Sequence, residues 1–213
     1  MSGLIVTLTA AQQLEMVYVG YFNRAAEGNG YLFWQENYAK LLADGMSSKD
    51  ALTDIANLFQ PQPETLSHYP FLSNTSALSA SDPVAIASVK SLIDDVYANL
   101  FNRAPDDAGK TFWANAILSG SVTLGSAILE IANGATGTDV TTLTNKVSVA
   151  TSFTETTAAA GLGQSAATTT PALIAEATSI VAGVTSDPAS ITSAESSLVS
   201  FISNGGGTVG ETY

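Results

Sequence analysis

The sequence predicts an all-α protein, a multi-helix array built from two repeated three-helix units plus C-terminal packing helices. The strongest observation is an internal repeat, because Val17–Trp34 recurs at Val96–Trp113 with a constant offset of 79 residues. A fixed internal period indicates the unit from which a fold is built. Two further observations favour helices: apolar residues recur at helical spacing, and capping residues stand where helices are expected to begin.

The first unit, residues 1–60, is predicted to contain three helices. They are expected to span about 10–22, 27–44 and 48–60. Thr9 and Gln12 have the spacing of a capping box at the first helix. Gly45 is expected to end the second helix, and Ser47 with Asp50 has the spacing of a cap for the third.

Residues 61–80 hold three prolines and are predicted to form a connector. The second unit, residues 81–137, then repeats the plan of the first. Ser81 is expected to cap its first helix, with Pro83 in the first turn. The triplet Ile131–Asn133 repeats Ile55–Asn57 at an offset of 76, so the second copy has lost three residues.

The chain changes in composition after Lys146, where no Lys or Arg follows and Ser, Thr, Ala and Gly dominate. Two weakly amphipathic helices are still expected within residues 138–204, because Thr170-Pro171 and Asp187-Pro188 have the form of helix starts. Residues 205–213 are rich in glycine and are interpreted as the boundary to a downstream region that this sequence lacks.

Composition excludes several classes of protein. The formal net charge of -12 argues against nucleic-acid binding, which needs a basic face. The chain has no Cys, and His68 is its one histidine, so thiolate sites and histidine clusters are excluded. No apolar stretch predicts a transmembrane segment, and the N-terminus lacks the basic region of a signal peptide. The protein is therefore either cytoplasmic or exported without an N-terminal signal peptide.

A motif Phe-Asn-Arg-Ala-x-acid-x-x-Gly-x-x-Phe-Trp occurs once in each unit. In a structural interpretation, Asn and Ala form the turn between helices, and the acid caps the next helix. The Arg bonds helix-end carbonyls or that acid. In a functional interpretation, Arg, acid and aromatic rings bind a sugar. The candidate ligand-binding residues are Tyr21, Arg24, Tyr31 and Trp34 in the first copy and Arg103, Asp106 and Trp113 in the second.

No sequence pattern indicates catalysis, so we expect no enzyme activity and assign no catalytic residue. Asp106 and Asp107, together with Asn102, offer oxygen ligands to Ca²⁺, but helix capping explains these residues equally well. We therefore assign no metal ligand, and we expect no cofactor in the domain other than Ca²⁺ as a bridging ion.

The doubled motif resembles the DUF4214 family, whose signature is similar to Tyr-x-x-x-Phe-x-Arg-Ala-Pro-Asp-x-x-Gly-x-x-Phe/Tyr-Trp. The second copy matches it from Tyr97 to Trp113, including Pro105 and Asp106. The first copy departs from it at Ala26 and Glu27, where Pro and Asp are usual. The resemblance covers residues 10–135 in two copies, and the tail lies outside it.

This resemblance implies a function at the cell surface. Such domains commonly stand at the front of secreted bacterial surface-layer and RTX-type calcium-repeat proteins that leave by type I secretion. The chain is also similar in organisation to the helical anchoring domains of Caulobacter-type surface-layer proteins. The implied function is an N-terminal cell-surface anchoring domain that binds surface polysaccharide, the O-chain of lipopolysaccharide, with Ca²⁺ bridging two acidic surfaces.

One alternative is a protein–protein assembly module that pairs with copies of itself in a lattice. Another is a cytoplasmic scaffold in the style of the phycobilisome linker domain, which resembles the same helical plan.

Overall fold

The computed structural model describes residues 3–207, and over that range the chain forms ten α-helices, two 3₁₀ helices and no strand. The predicted all-α class is confirmed. The α-helices are α1 (Ala10–Phe22), α2 (Gly28–Ala43), α3 (Ser48–Phe59), α4 (Pro63–His68), α5 (Pro83–Phe101), α6 (Asp107–Leu118), α7 (Leu124–Asn133), α8 (Thr138–Ala159), α9 (Pro171–Ala182) and α10 (Pro188–Ser203); the 3₁₀ helices are Leu4–Thr7 and Pro70–Ala77. Most of the predicted glycine-rich boundary lies outside the described residues.

Local sequence sets most helix ends. Thr9 and Gln12 form the expected reciprocal capping box at α1. Asn23 and Asn102, which are equivalent in the repeat, both end their helices in the left-handed conformation, with φ of 49° and 57°. The expectation that Ser81 caps α5 is wrong. Asp82 accepts the hydrogen bond from Val84 N instead, because Pro83 occupies the first helical position and the cap is the residue before it.

The predicted connector is helical rather than open. Pro63 starts α4 instead of interrupting structure, since its fixed φ suits the first turn of a helix. Thr65 is buried, and its hydroxyl donates to Phe59 O at 2.6 Å, which ties α4 to the end of α3. A 3₁₀ helix, Pro70–Ala77, then leads towards α5.

Equivalent helices of the two units pack on each other, α1 on α5 and α3 on α7. Asn99 Nδ2 donates to Gly20 O at 3.1 Å, and these two residues occupy the same repeat position, 79 residues apart. A Cβ on Gly125 would lie 2.6 Å from the backbone of Ala56, so the α3–α7 crossing requires glycine there. The two units therefore pack on each other through equivalent helices.

The longest helix, α8, packs against both units and joins them to α9 and α10. The sequence pattern did not predict a separate helix at this place. Its buried residues recur about every 3.5 positions, but several are threonines, which weakens the apolar pattern: Thr142, Leu143, Lys146, Val147, Val149, Ala150, Phe153, Thr154 and Thr157. One buried apolar cluster extends from Leu8 to Leu198, so both units and the tail share a core.

Lys146 is fully buried in α8, without a carboxylate partner among residues 3–207. Its Nζ donates to Asn23 Oδ1 at 2.9 Å and to Asn99 O at 2.6 Å, which connects α8 to the ends of α1 and α5. Burial lowers the pKa of Lys146 to about 8 because the charged form loses hydration. In the described part of the chain, no helix combines the length and the hydropathy that a membrane crossing requires.

Candidate functional site

The two motif turns hold their arginines in the same way. Arg24 binds Glu64 through Nε and Nη2, at 2.8 and 2.7 Å. Arg103 binds Asp139 through the same pair of nitrogens, at 3.0 and 2.6 Å. Each arginine also donates from Nη1 to the carbonyl of the following alanine. Each lies over a tyrosine ring of its own unit, at 5.0 Å in the first unit and 5.4 Å in the second.

The ion pair of Arg24 with Glu27 was predicted, but the acids that bind Nε and Nη2 of each arginine were not. Glu64 and Asp139 both stand in the first turn of the helix that follows the third helix of their unit, α4 in one case and α8 in the other. Each unit therefore includes the start of a fourth helix. A signal for them was present in the sequence, because Glu64 and Asp139 are separated by almost the repeat offset of 76. The interpretation of residues 61–80 as a connector concealed it.

The two turns differ strongly in burial. Arg24 is 4% exposed, whereas the side chain of Arg103 is 49% exposed. Glu27 is long enough to reach back to Arg24 Nη1 at 2.8 Å, so it forms an ion pair and leaves α2 without a side-chain cap. The equivalent Asp106 is shorter and caps α6 through Gly109 N at 2.6 Å. Burial alone would lower the pKa of Arg24, but Glu64 and Glu27 raise it above its ordinary value.

A groove of about 450 Å³ lies beside Arg24; we call it the unit-one groove. Its residues are Tyr18, Phe22, Arg24, Glu27, Asn29, Gly30, Phe33, Trp34, Phe59, Gln62, Pro63 and Glu64. Trp34 stacks on Phe59, with ring centroids 4.6 Å apart and planes 29° apart. Phe33 meets the edge of Trp34 at 4.9 Å and is 56% exposed, so it forms an apolar rim on the groove.

Of the four candidate ligand-binding residues in the first copy, two line the unit-one groove and two do not. Arg24 and Trp34 both line the unit-one groove. Tyr21 does not: it is 2% exposed, and its Oη donates to Ala56 O at 2.7 Å, so it belongs to the core and has no surface for a ligand. This removes Tyr21 from the candidate site. Tyr31 is partly buried against the core and is absent from the residues that line the groove.

In the second copy, Arg103 and Asp106 are exposed in the same turn, and each already has a protein partner. Trp113 packs partly buried against the core. Phe112, which corresponds to Phe33, is 62% exposed. Sequence reasoning missed Phe33 and Phe112 because an aromatic residue at helical spacing was assigned to the core; their recurrence at one repeat position was the available signal.

The oxygen-bearing residues considered for Ca²⁺ are engaged in other contacts. Asp106 caps α6, and Asn102 Nδ2 donates to Val184 O at 2.7 Å. Within residues 3–207, no group of three or more Asp, Glu or His side chains is placed to hold a metal ion.

Comparison with known families addresses the second unit. Residues 80–135 match the family described as Domain of unknown function (DUF4214). The match covers α5 to α7 and ends before Asp139, the partner of Arg103. No curated protein and no solved structure matches the chain. The function of the unit-one groove must therefore be argued from its geometry.

Proposed function

We propose that the protein is a non-catalytic cell-surface anchoring module that binds polysaccharide through the unit-one groove. The observation that carries this proposal is the exposed ring of Phe33, held edge-on against the buried Trp34–Phe59 pair, with a row of polar groups beside it. A sugar ring presents apolar C–H faces and a rim of hydroxyls. A concave site with an aromatic wall and a few convergent polar groups suits such a ligand.

The biological setting follows from the family resemblance. Unit one is proposed to be a diverged DUF4214 copy, and the whole chain to be the N-terminal anchor of a secreted surface-layer or RTX-type protein. The polysaccharide is then the O-chain of lipopolysaccharide. Because the chain carries a net charge of -12, close approach to an anionic cell surface is unfavourable, and bridging Ca²⁺ is proposed to screen the two surfaces.

Tryptophan fluorescence tests the proposal directly. The chain has two tryptophans, so Trp113→Phe leaves Trp34 as the one reporter, stacked inside the groove. We expect its emission to change during titration with lipopolysaccharide purified from the cells that produce the protein. Titrations with Ca²⁺ and with EDTA separate the two proposed contributions: chelation should weaken attachment to intact lipopolysaccharide.

Phe33→Ala and Phe112→Ala form a matched pair, since both side chains are exposed at the same repeat position. Loss of a stacking ring should weaken polysaccharide binding about tenfold for Phe33→Ala. Phe112→Ala should bind as the unmodified chain does. Equal losses in both variants, or no Trp34 response to any polysaccharide, would contradict groove binding.

A protein–protein assembly module is the second candidate function, and the exposed Phe33 and Phe112 favour it. An exposed aromatic ring at the same position of both units offers an apolar contact to a second protein. Sedimentation velocity over a hundredfold concentration range would detect self-association, and Phe112→Ser should abolish it. A concentration-independent monomer would remove self-association as the function.

A further inference from the structure

We infer that the unit-one groove selects neutral and amine-bearing sugars over sugars that carry carboxylate, phosphate or sulfate groups. This inference rests on the proposed function, because it specifies the ligand of the same groove. It comes from a count of the hydrogen-bond donors and acceptors that the groove has left to offer, and from the sign of its charge.

Arg24 has almost no donor left for a ligand. Its guanidinium already makes four hydrogen bonds: two to Glu64, one to Glu27 and one to Ala25 O. All but one of its N–H groups are thereby used. The cation is also almost fully buried, between the ring of Tyr18 and the carboxylates. Arg24 was predicted to bind the ligand, but with one N–H left it mainly positions Glu27 and Glu64.

The charged groups that remain accessible are acceptors. The carboxylate of Glu64 keeps a side-chain exposure of 35%, and that of Glu27 keeps 17%. Glu27 Oε1 accepts no hydrogen bond within the described part of the chain, since Arg24 uses Oε2. Gln62 donates from Nε2 to Leu58 O, which leaves its Oε1 as an acceptor. The other donors that line the groove are neutral, namely the Asn29 amide, the Tyr18 hydroxyl and the Trp34 indole N–H.

Such a groove needs a ligand rich in donors. Sugar hydroxyls donate to carboxylate oxygens, and an ammonium group does so with added charge attraction. One guanidinium and two carboxylates give the groove a formal charge of -1, on a chain whose net charge is -12. A carboxylate or phosphate on the ligand would face like charges and would find mainly neutral donors to replace its water.

Oligosaccharides that differ only in charge test this inference. Binding to the Trp113→Phe chain is measured for matched β-1,4 oligomers of glucose, glucosamine and glucuronate, and for the corresponding galacto and manno series. In the series that fits the groove, we expect the amine-bearing oligomer to bind about fivefold tighter than the neutral one and the acidic oligomer about fivefold weaker. That factor is what one unit charge about 4 Å away produces in water.

Glu64→Gln then removes one groove charge while keeping an acceptor for Arg24. In this variant the acidic and amine-bearing oligomers should bind within about fivefold of each other, and an unchanged emission spectrum of Trp34 without ligand shows that the groove is intact. Asp139→Asn is the matched control, because it removes the same charge from the equivalent ion pair of unit two and should leave the selectivity unchanged.

Salt provides a second measurement on the unmodified groove, since 1 M NaCl should reduce the charge selectivity without weakening neutral binding. Acidic oligomers that bind as tightly as neutral ones would overturn the inference and leave polysaccharide binding standing. Absence of binding in all three series would overturn both.

Discussion

Replacing Glu15 by glutamine is expected to remove most of the protein's loss of stability between pH 4.5 and pH 8. Glu15 lies in α1 and is fully buried. Its Oε2 accepts from Ala26 N at 3.0 Å, and its Oε1 lies 2.6 Å from the hydroxyl of Thr154 in α8. That hydroxyl also lies 2.8 Å from Ala26 O.

The single hydroxyl hydrogen of Thr154 cannot serve both oxygens at once. If Glu15 carries a proton, the carboxyl donates to Thr154 Oγ1, Thr154 donates to Ala26 O, and Ala26 N donates to Glu15, so every group is satisfied. Burial raises the pKa of Glu15 to about 7, against the opposing effects of Thr154, Ala26 N and Arg24; the charge of Glu27 adds a smaller rise. Geometry and electrostatics thus agree on a neutral side chain below pH 7.

The sign of the pH effect follows from these two states. Between pH 4.5 and 7 the folded protein holds a proton at Glu15 that the unfolded chain has released, so stability falls as pH rises. A rise in pKa from 4.5 to about 7 corresponds to about 3 kcal/mol, present at pH 4.5 and lost above pH 7. For a chain of 213 residues this is about 6–12 °C in Tm.

Glutamine reproduces the protonated acid, because its Nε2 donates to Thr154 and its oxygen accepts from Ala26 N. Urea unfolding at pH 4.5 and pH 8 should therefore show equal stability at the lower pH and a Glu15→Gln variant about 3 kcal/mol more stable at the higher. Glu36→Gln, at an exposed position of α2, is the control and should follow the unmodified chain. Parallel pH profiles for the unmodified chain and Glu15→Gln would refute the reasoning.

Three further comparisons test the packing. Arg24→Ala should lower the free energy of unfolding by about 3–5 kcal/mol, because it leaves partly buried carboxylates unpaired. Arg103→Ala should lower it by about 1 kcal/mol, because its ion pair is half exposed. Thermal unfolding measures both losses, and equal losses would contradict the difference in burial. Gly30→Ala should destabilise the protein by about 1–3 kcal/mol, since the added Cβ would overlap Glu27 Oε1. Gly109→Ala should be neutral or stabilising in the same assay, since its added Cβ would lie 3.2 Å from the nearest atom, Asp106 Oδ1. The unmodified chain should gain stability from pH 8 towards pH 10, as the folded pKa of Lys146 lies below its ordinary value of 10.5, and Lys146→Met should abolish this gain in urea unfolding.

Local chemistry explains which parts of the fold the sequence could predict. Capping and helix ends depend on residues a few positions apart, and the Thr9 box and the equivalent turns at Asn23 and Asn102 followed from them. Helix α8 escaped prediction because its threonines are buried by distant elements. Thr154, for example, reaches Glu15 across 139 residues, and no local pattern shows that its hydroxyl is satisfied.

Only part of the candidate site could be predicted from the sequence, for a related reason. The repeat identified Arg24 and Trp34, because duplicated residues are visible in the sequence. It could not show that Glu64, 40 residues further on, takes up the donors of Arg24. Nor could it show that Tyr21 points into the core while Phe33 points to solvent. Those facts depend on how helices pack on each other, which helical periodicity alone does not determine.

A single position explains why the two units present different surfaces from the same motif. Phe59, at the end of α3, is the platform on which Trp34 stacks and a wall of the unit-one groove. The residue at the repeat offset of 76 in unit two is Ala135, which offers Trp113 no ring to stack on. Unit two keeps the arginine fork and the exposed Phe112 but lacks the aromatic platform. The shared motif therefore builds the turn, and the residue at the position of Phe59 determines whether the motif tryptophan has an aromatic ring to stack on.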